Sequence, residues 1–298
     1  MTQEYFSMND LGEGGLRNLQ KKCLEILVYF KKICDENKLT FYLAGGTAIG
    51  ALRHKGFIPW DDDIDVFMPR PDYEKLTRIW TEVADTSRYV FIRSSRNVNY
   101  HHHAASIVDV NTTWIEERNE NNDVPQGVMI DVIPLDGCPD SNFRRFFQLY
   151  NALKFAVFNV QRLPENKNKK IYCATKIVLG IFRSKWIRDT IWISSEKRMT
   201  RYGFYSNKNI TELIGELYGM VEKHPLEDFA TTIEVDFEGY KMPLMKGYDA
   251  YLKSVFGDYM QLPPLEKRVP KTHLVYGNLK QPYKKYRGIY YLKGIEEK

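Results

Sequence analysis

Cysteine is scarce in this 298-residue chain: Cys23, Cys34, Cys138 and Cys173 are the only four, and none forms a C-x-x-C pair. Neither a disulfide framework nor a four-thiolate zinc site is signalled, and a reducing compartment suits such a sequence. Long apolar runs are also missing. The most apolar stretch, IYCATKIVLGIFRSKWIRDTIWI, is interrupted by Lys176, Arg183, Lys185 and Arg188, whereas a bilayer-spanning helix needs roughly 20 predominantly apolar residues. No internal repeat, low-complexity tract or Gly/Ser/Pro linker marks a seam. The opening MTQEYFSMNDLGEGG has acids and glycines where a secretory signal needs basic residues and then an apolar run. A cytoplasmic location is therefore expected, with residues 1–15 loosely ordered.

What is present is a folding composition, 43% hydrophobic, 14% aromatic and 27% charged. The net charge of +5 is unevenly spread. Between Phe143 and Phe204 there are fourteen Lys or Arg residues against Glu165, Asp189 and Glu196, a local balance of +11 that leaves about −6 for the remainder. The same region has apolar residues at helix-compatible spacing and reads as two or three helices. It is either a packed annex whose cations face water or a peripheral contact with anionic lipid on the inner membrane face. A nucleic-acid partner is not expected. The organisation predicted is a catalytic core over 1–140, a basic helical annex over 141–205, and a C-terminal segment over 206–298 that completes the core.

The first 140 residues predict a mixed α/β sheet flanked by helices. Leu16, Leu19, Cys23, Ile26, Leu27, Phe30, Ile33 and Cys34 recur with the stagger of an amphipathic helix. FYLA reads as a strand, GGT as a tight turn, AIGALRHK as a helix and IDVFM as a strand. Pro69 and Pro71 precede a helix over DYEKLTRIWTEVA. YVFIR, AASIVDV, TTWIEE and GVMIDVIPLDG follow as strands, rich in β-branched residues.

The chemistry concentrates in LAGGTAIGALRHKGFIPWDDDIDVFM, Leu43 to Met68. Gly45 and Gly46 have no Cβ, so backbone N–H groups at a helix start can approach a phosphate, and Thr47 offers a hydroxyl. Side chains alternate along a strand, so Asp63 and Asp65 project to one side while Ile64 and Val66 enter the core. Two carboxylates sharing a pocket repel unless a cation neutralises them, and Mg²⁺, with Mn²⁺ as a substitute, takes one or two carboxylates plus phosphate and water oxygens. Asp131, isolated in an apolar strand, is costly to bury unless paired or ligating, and is the expected third ligand. Asp61 and Asp62 are expected to form a solvated acidic turn, and Asp136, preceding Gly137, another turn.

The string GGTAIGALRHKGFIPWDDDIDVFMPR, with TTWIEE, GVMIDVIPLDG and YDAYLKSVFGDYMQLPPLEKR after it, resembles the LicD family of phosphocholine transferases, whose signature the fukutin-related phosphotransferases share. The resemblance runs in order over about residues 25–270. It implies a nucleotidyltransferase-type fold, a glycine pair contacting donor phosphates, and a divalent metal held at Asp63, Asp65 and Asp131. It further implies a CDP-alcohol donor such as CDP-choline, a hydroxyl acceptor on a cell-surface glycan or its lipid-linked precursor, and CMP as leaving group. In-line attack of the acceptor hydroxyl on phosphorus, with Asp131 orienting or deprotonating it, is the expected mechanism.

Arg53, His54 and Lys55 match the same run. Arg53 is expected on phosphate, with a helix C-terminus that attracts cations as the alternative for all three. Trp60 either stacks on a base, encloses a quaternary ammonium or packs on the core. His101, His102 and His103 read as a surface strand end, since alternation splits them between faces and no metal-site partner accompanies them. Tyr251, Tyr259, Lys267 and Arg268 read as packing residues, with pocket lining as the alternative. Rival activities are a nucleotidyltransferase that adds NMP and releases pyrophosphate, a D-x-D glycosyltransferase, and a non-catalytic membrane-surface adaptor.

Overall fold

The computed structural model describes residues 4–163, 169–214 and 217–294. A short strand β1 (Glu4–Tyr5) precedes helix α1 (Gly12–Asn37), whose buried face carries Leu19, Cys23, Ile26, Leu27, Phe30, Ile33 and Cys34. That is the stagger the sequence predicts. The helix stops at Lys38, which takes the left-handed conformation (φ 53°) and returns its N–H to the carbonyls of Asp35 and Cys34. The opening is more ordered than expected: residues 1–3 lie outside the described residues, but β1 pairs with a late strand and α1 starts at Gly12.

Strand β2 (Tyr42–Leu43), helix α2 (Gly45–His54), strand β3 (Asp65–Pro69) and helix α3 (Arg70–Val83) follow, then β4 (Tyr89–Ile92), β5 (Ala105–Asp109), β6 (Thr113–Glu116) and the long β7 (Val128–Cys138). The glycine pair forms the first turn of α2 instead of a separate turn before it. The main sheet runs β2-β3-β7-β5-β4. Only β3 and β7 pair in parallel; β2 with β3, β7 with β5 and β5 with β4 are antiparallel. Helices α1 and α3 both pack on β7, which accounts for its nearly unbroken apolar sequence. The result is a mixed α/β fold flanked by helices.

The far end of β7 pairs with β8 (Asn209–Glu212), which in turn pairs with β9 (His224–Pro225). Before them come the three helices of the basic region, α4 (Asn142–Val160), α5 (Lys169–Ile181) and α6 (Lys185–Met199). Helices α4 and α6 pack on each other around Ala152, Phe155, Trp192 and Met199, an apolar cluster separate from the main core. Short helices α7 (Leu217–Val221) and α8 (Leu226–Phe229) lead to the hairpin of β10 (Thr232–Phe237) and β11 (Tyr240–Met245), then α9 (Tyr248–Phe256) and β12 (Leu274–Asn278). Gly257 ends α9 at φ 66°, a conformation that favours glycine. The TTWIEE strand joins a second sheet: β6 lies beside β12, which pairs with β1.

An ion network bolts the helical annex to the sheet. Arg70 grips Asp136 in a two-point contact, Nε to Oδ1 at 2.8 Å and Nη2 to Oδ2 at 2.7 Å, with both side chains buried. Arg93 bridges Glu74 at 2.9 Å to Glu196 of α6 at 2.7 Å. Asp136 is therefore a buried strand residue rather than the turn residue expected, and its charge is tolerable because Arg70 answers it.

Candidate active site

Asp65 opens β3 and stands in direct register with Asp131 of β7, while Ser106 of β5 flanks Asp131 on its other side. Ile64 and Val66 are fully buried, so alternation sends Asp63 and Asp65 to the side away from them. Three backbone contacts fix this junction. Ala44 N–H donates to Asp65 O at 3.0 Å, Asp131 N–H to Ile64 O at 2.9 Å, and Asp65 N–H to the Thr47 hydroxyl at 3.0 Å. Thr47 is buried and braces α2 against β3; the sequence had offered its hydroxyl to phosphate.

Crowding dominates the electrostatics. Burial, then the charge of Asp131 and next that of Asp61, pushes the Asp65 carboxyl up to about 8. The surrounding protein and the charges of Asp65, Asp61, Asp62 and Asp131 raise Asp63 well above the carboxylate range, although Asp63 opens to solvent on its cavity side. Asp131 is raised by burial, moderated by Arg118 and by the hydroxyl of Ser106, which donates to it. Burial and Asp62 lift Asp61 to about 6. All-oxygen donors that repel one another are the chemistry that suits a hard divalent cation. Among the described residues, however, no three His, Cys, Asp or Glu side chains are already gathered as a metal cage.

Two cavities flank the aspartates. One, of about 270 Å³, contains Asp62, Asp63 and Asp131 and is walled by Trp114, Glu116, Glu117, Arg118 and Lys271. The other, of about 880 Å³, has Gly46 and Asp61 at its base, with Arg53, Trp60, Tyr259, Lys267, Arg268 and Lys271 around it. Lys271 borders both. The first holds five acids against two cations, the second four cations against Asp61 and Asp258.

Gly45 has φ 47°, and a Cβ on Gly46 would meet the Asp61 carboxylate at 2.8 Å. An anionic oxygen thus already lies against the first turn of α2. Arg53 lines the larger cavity but spends Nη1 on the carbonyls of Tyr259 (2.8 Å) and Gln261 (3.2 Å), pinning the segment after α9. His54 accepts from Arg53 Nε at 3.0 Å, and Lys55 is the exposed C-cap of α2; neither lines either cavity. Trp60 carries the Arg268 guanidinium 5.4 Å above its ring. Tyr259, Lys267 and Arg268 line the cavity, whereas Tyr251 is buried against Phe67 and Phe229.

Two expectations are corrected here. Asp62 is buried, not solvated, and accepts the N–H groups of Lys271 and Thr272, each at 3.2 Å. The histidine triplet is no surface strand end: all three rings are half-buried, and His102 Nε2 lies 3.6 Å from Asp131 Oδ2 while accepting from Arg118 Nη1 at 2.8 Å. Ser106, whose oxygen accepts from the Tyr100 hydroxyl at 3.0 Å, and Arg118 were not anticipated at all. Arg118 had one signal, a cation two residues past the end of the strand TWIE.

Residues 38–125 match the family model described as LicD/FKTN/FKRP, nucleotidyltransferase domain. The chain is 29% identical over 277 residues to the lipopolysaccharide cholinephosphotransferase LicD of Haemophilus influenzae, a match covering 86% of this chain and 95% of that protein. Shorter similarities, 31% over 71 residues and 30% over 79, link it to uncharacterized proteins of Rickettsia typhi and Rickettsia prowazekii. The domain match takes in both glycines and the Asp63–Asp65 pair, and the longer alignment extends the likeness to the LicD cholinephosphotransferase over most of the chain.

Proposed function

We propose that this LicD-type phosphotransferase moves phosphocholine from CDP-choline to a hydroxyl of a lipopolysaccharide-type glycan and releases CMP. The observation that carries the reading is the division of charge between the two cavities, with Asp63 and Asp131 in the acidic one and Lys271 bordering both. The cationic cavity suits the anionic CMP portion: Arg268 and Lys267 face phosphate, and Trp60 offers a ring for the base. The acidic one suits the quaternary ammonium, which Trp114 contacts through its π-face and Glu116 and Glu117 through their charge. The phosphorus then sits at Asp63 and Asp131.

Asp63, Asp65 and Asp131 would hold a divalent cation, whose chemistry when bound is to neutralise charge on the phosphoryl oxygens. The acceptor oxygen attacks phosphorus, the bond to the CMP oxygen breaks, and the hydroxyl proton passes to a carboxylate, for which Asp131 is the candidate. Ser106 and Arg118 hold that carboxylate in place. Residues 271–273, clamped by Asp62, close the smaller cavity and limit the access of water.

The test is purified protein with Mg²⁺ and a panel of CDP-choline, CDP-glycerol, CDP-ribitol and CTP. CMP release that is fastest from CDP-choline and stimulated by a glycan acceptor is expected. Preference for an uncharged CDP-alcohol would remove the headgroup assignment, and pyrophosphate release from CTP would replace the reaction with nucleotidyl transfer.

A further inference from the structure

We propose that the solvent side of α4–α6 is a docking surface for an anionic lipid bilayer. Helix α4 has two apolar sides. One, with Ala152 and Phe155, packs inward. The other points to water with Phe143 (73% exposed), Phe146 (65%), Phe147 and Tyr150, spaced as a stripe along the helix. Helix α5 buries only Thr175 and Leu179 and leaves Ile177 (61%) and Ile181 (69%) in solvent, with Trp186 (72%) at the start of α6. A water-facing surface with this much aromatic and aliphatic area needs a cover.

Charge identifies the cover. Lys169, Lys170, Lys176, Arg183 and Lys185 are exposed among these apolar groups. Across the described residues between 142 and 195 the one acid is Asp189, which is buried and taken up by Lys185 and Trp192. A second copy meeting the same face across a two-fold axis would set cations against cations. A bilayer with anionic headgroups offers phosphate at the level of the cations and hydrocarbon just beneath. No helix among the described residues is long and apolar enough to cross a membrane, so docking is in the plane of the surface. The far end of α4 is tied to the site, because Asn159 donates to His102 O at 3.1 Å. Seating α4 on lipid therefore sets where the cavities stand above it.

The experiment is co-sedimentation of the full chain with phosphatidylcholine vesicles, with and without phosphatidylglycerol, at low and high salt. Binding to phosphatidylglycerol vesicles that weakens in high salt is expected. Ile177→Glu/Ile181→Glu and Trp186→Glu should each weaken it at least about tenfold, as should Lys176→Gln/Arg183→Gln/Lys185→Gln. Equal binding to neutral vesicles, no binding, or variants that bind like the parent would overturn the proposal, as would a dimer that the same substitutions dissociate. Turnover plays no part in the readout, so this result and that of the CDP-alcohol panel stand independently.

Discussion

Asp65 and Asp131 sit in register on neighbouring parallel strands, so their side chains leave the sheet on the same side from backbones about 5 Å apart. The fold imposes this repulsion, because both positions are fixed by backbone hydrogen bonds.

Replacing Asp65 with Asn should separate stability from activity. Its folded carboxyl titrates near 8, above the ordinary unfolded value of about 4. The folded state keeps a proton that the unfolded chain gives up, so this group's contribution is complete below pH about 4 and is lost as pH rises towards 8. In EDTA, Asp65→Asn should flatten that decline and raise the melting temperature at pH 8 by about 5 °C. Phosphocholine transfer with Mg²⁺ should fall on the order of 10³-fold. A melting curve with the parent's pH dependence would mean the pair is not strained.

The Arg70–Asp136 contact is expected to hold α3 to the sheet. Arg70→Ala leaves a buried carboxylate unanswered and should cost about 3–5 kcal/mol in urea unfolding. The double variant Arg70→Met/Asp136→Leu should recover most of it, because no charge is left stranded. A double variant as unstable as Arg70→Ala would refute the pairing argument.

Two glycines of α2 should respond in opposite ways. Alanine at Gly46 meets only the tip of Asp61, at 2.8 Å; the side chain can swing aside, so folding should change by less than about 1 kcal/mol while turnover drops about tenfold or more. Alanine at Gly50 meets the Gly56 carbonyl at 2.5 Å, and the backbone must move, at about 1–3 kcal/mol. Thermal melts and transfer assays on the two variants give the comparison; a destabilised Gly46→Ala with normal turnover would reverse the assignment.

Acid should weaken the fold through its histidines. Burial, then the neighbouring His102, Arg162 and Arg118, holds His103 down at about 4, and His101, His102 and His224 are also lowered by burial. The unfolded chain takes up protons that the folded one refuses, so stability is full above pH about 6.5 and falls towards pH 4. His103 alone accounts for up to about 3 kcal/mol. His103→Phe should reduce this loss, as read from urea midpoints across that range, and an unchanged slope would exclude His103 as its source.

Local signals carried most of what could be read from the chain. The stagger of α1, the alternation around Ile64 and the lone acid in β7 each lie within one element, so the buried face of α1, the strand placing Asp65 and the strand placing Asp131 beside it were legible. What escaped depends on distant partners. Asp136 looks like a turn residue beside Gly137 until Arg70, 66 positions earlier, is placed on it. Asp62 looks solvated until residues 271 and 272, some 209 positions later, lay their N–H groups on it. The histidines look superficial until α4 covers the 99–102 loop through Asn159. The pairing of β6 with β12 is likewise invisible to periodicity, which reports a strand's faces and not its neighbour.

The wall formed by residues 271–273 also has a temporal meaning. On the ribosome the carboxylates at 63, 65 and 131 emerge long before the segment that encloses them and the strand β12 that anchors it to β1 and β6. A nascent chain stalled before Lys271 would display the acidic cluster with its cleft still unroofed, so competence for transfer should arrive only after the segment through β12 has been made.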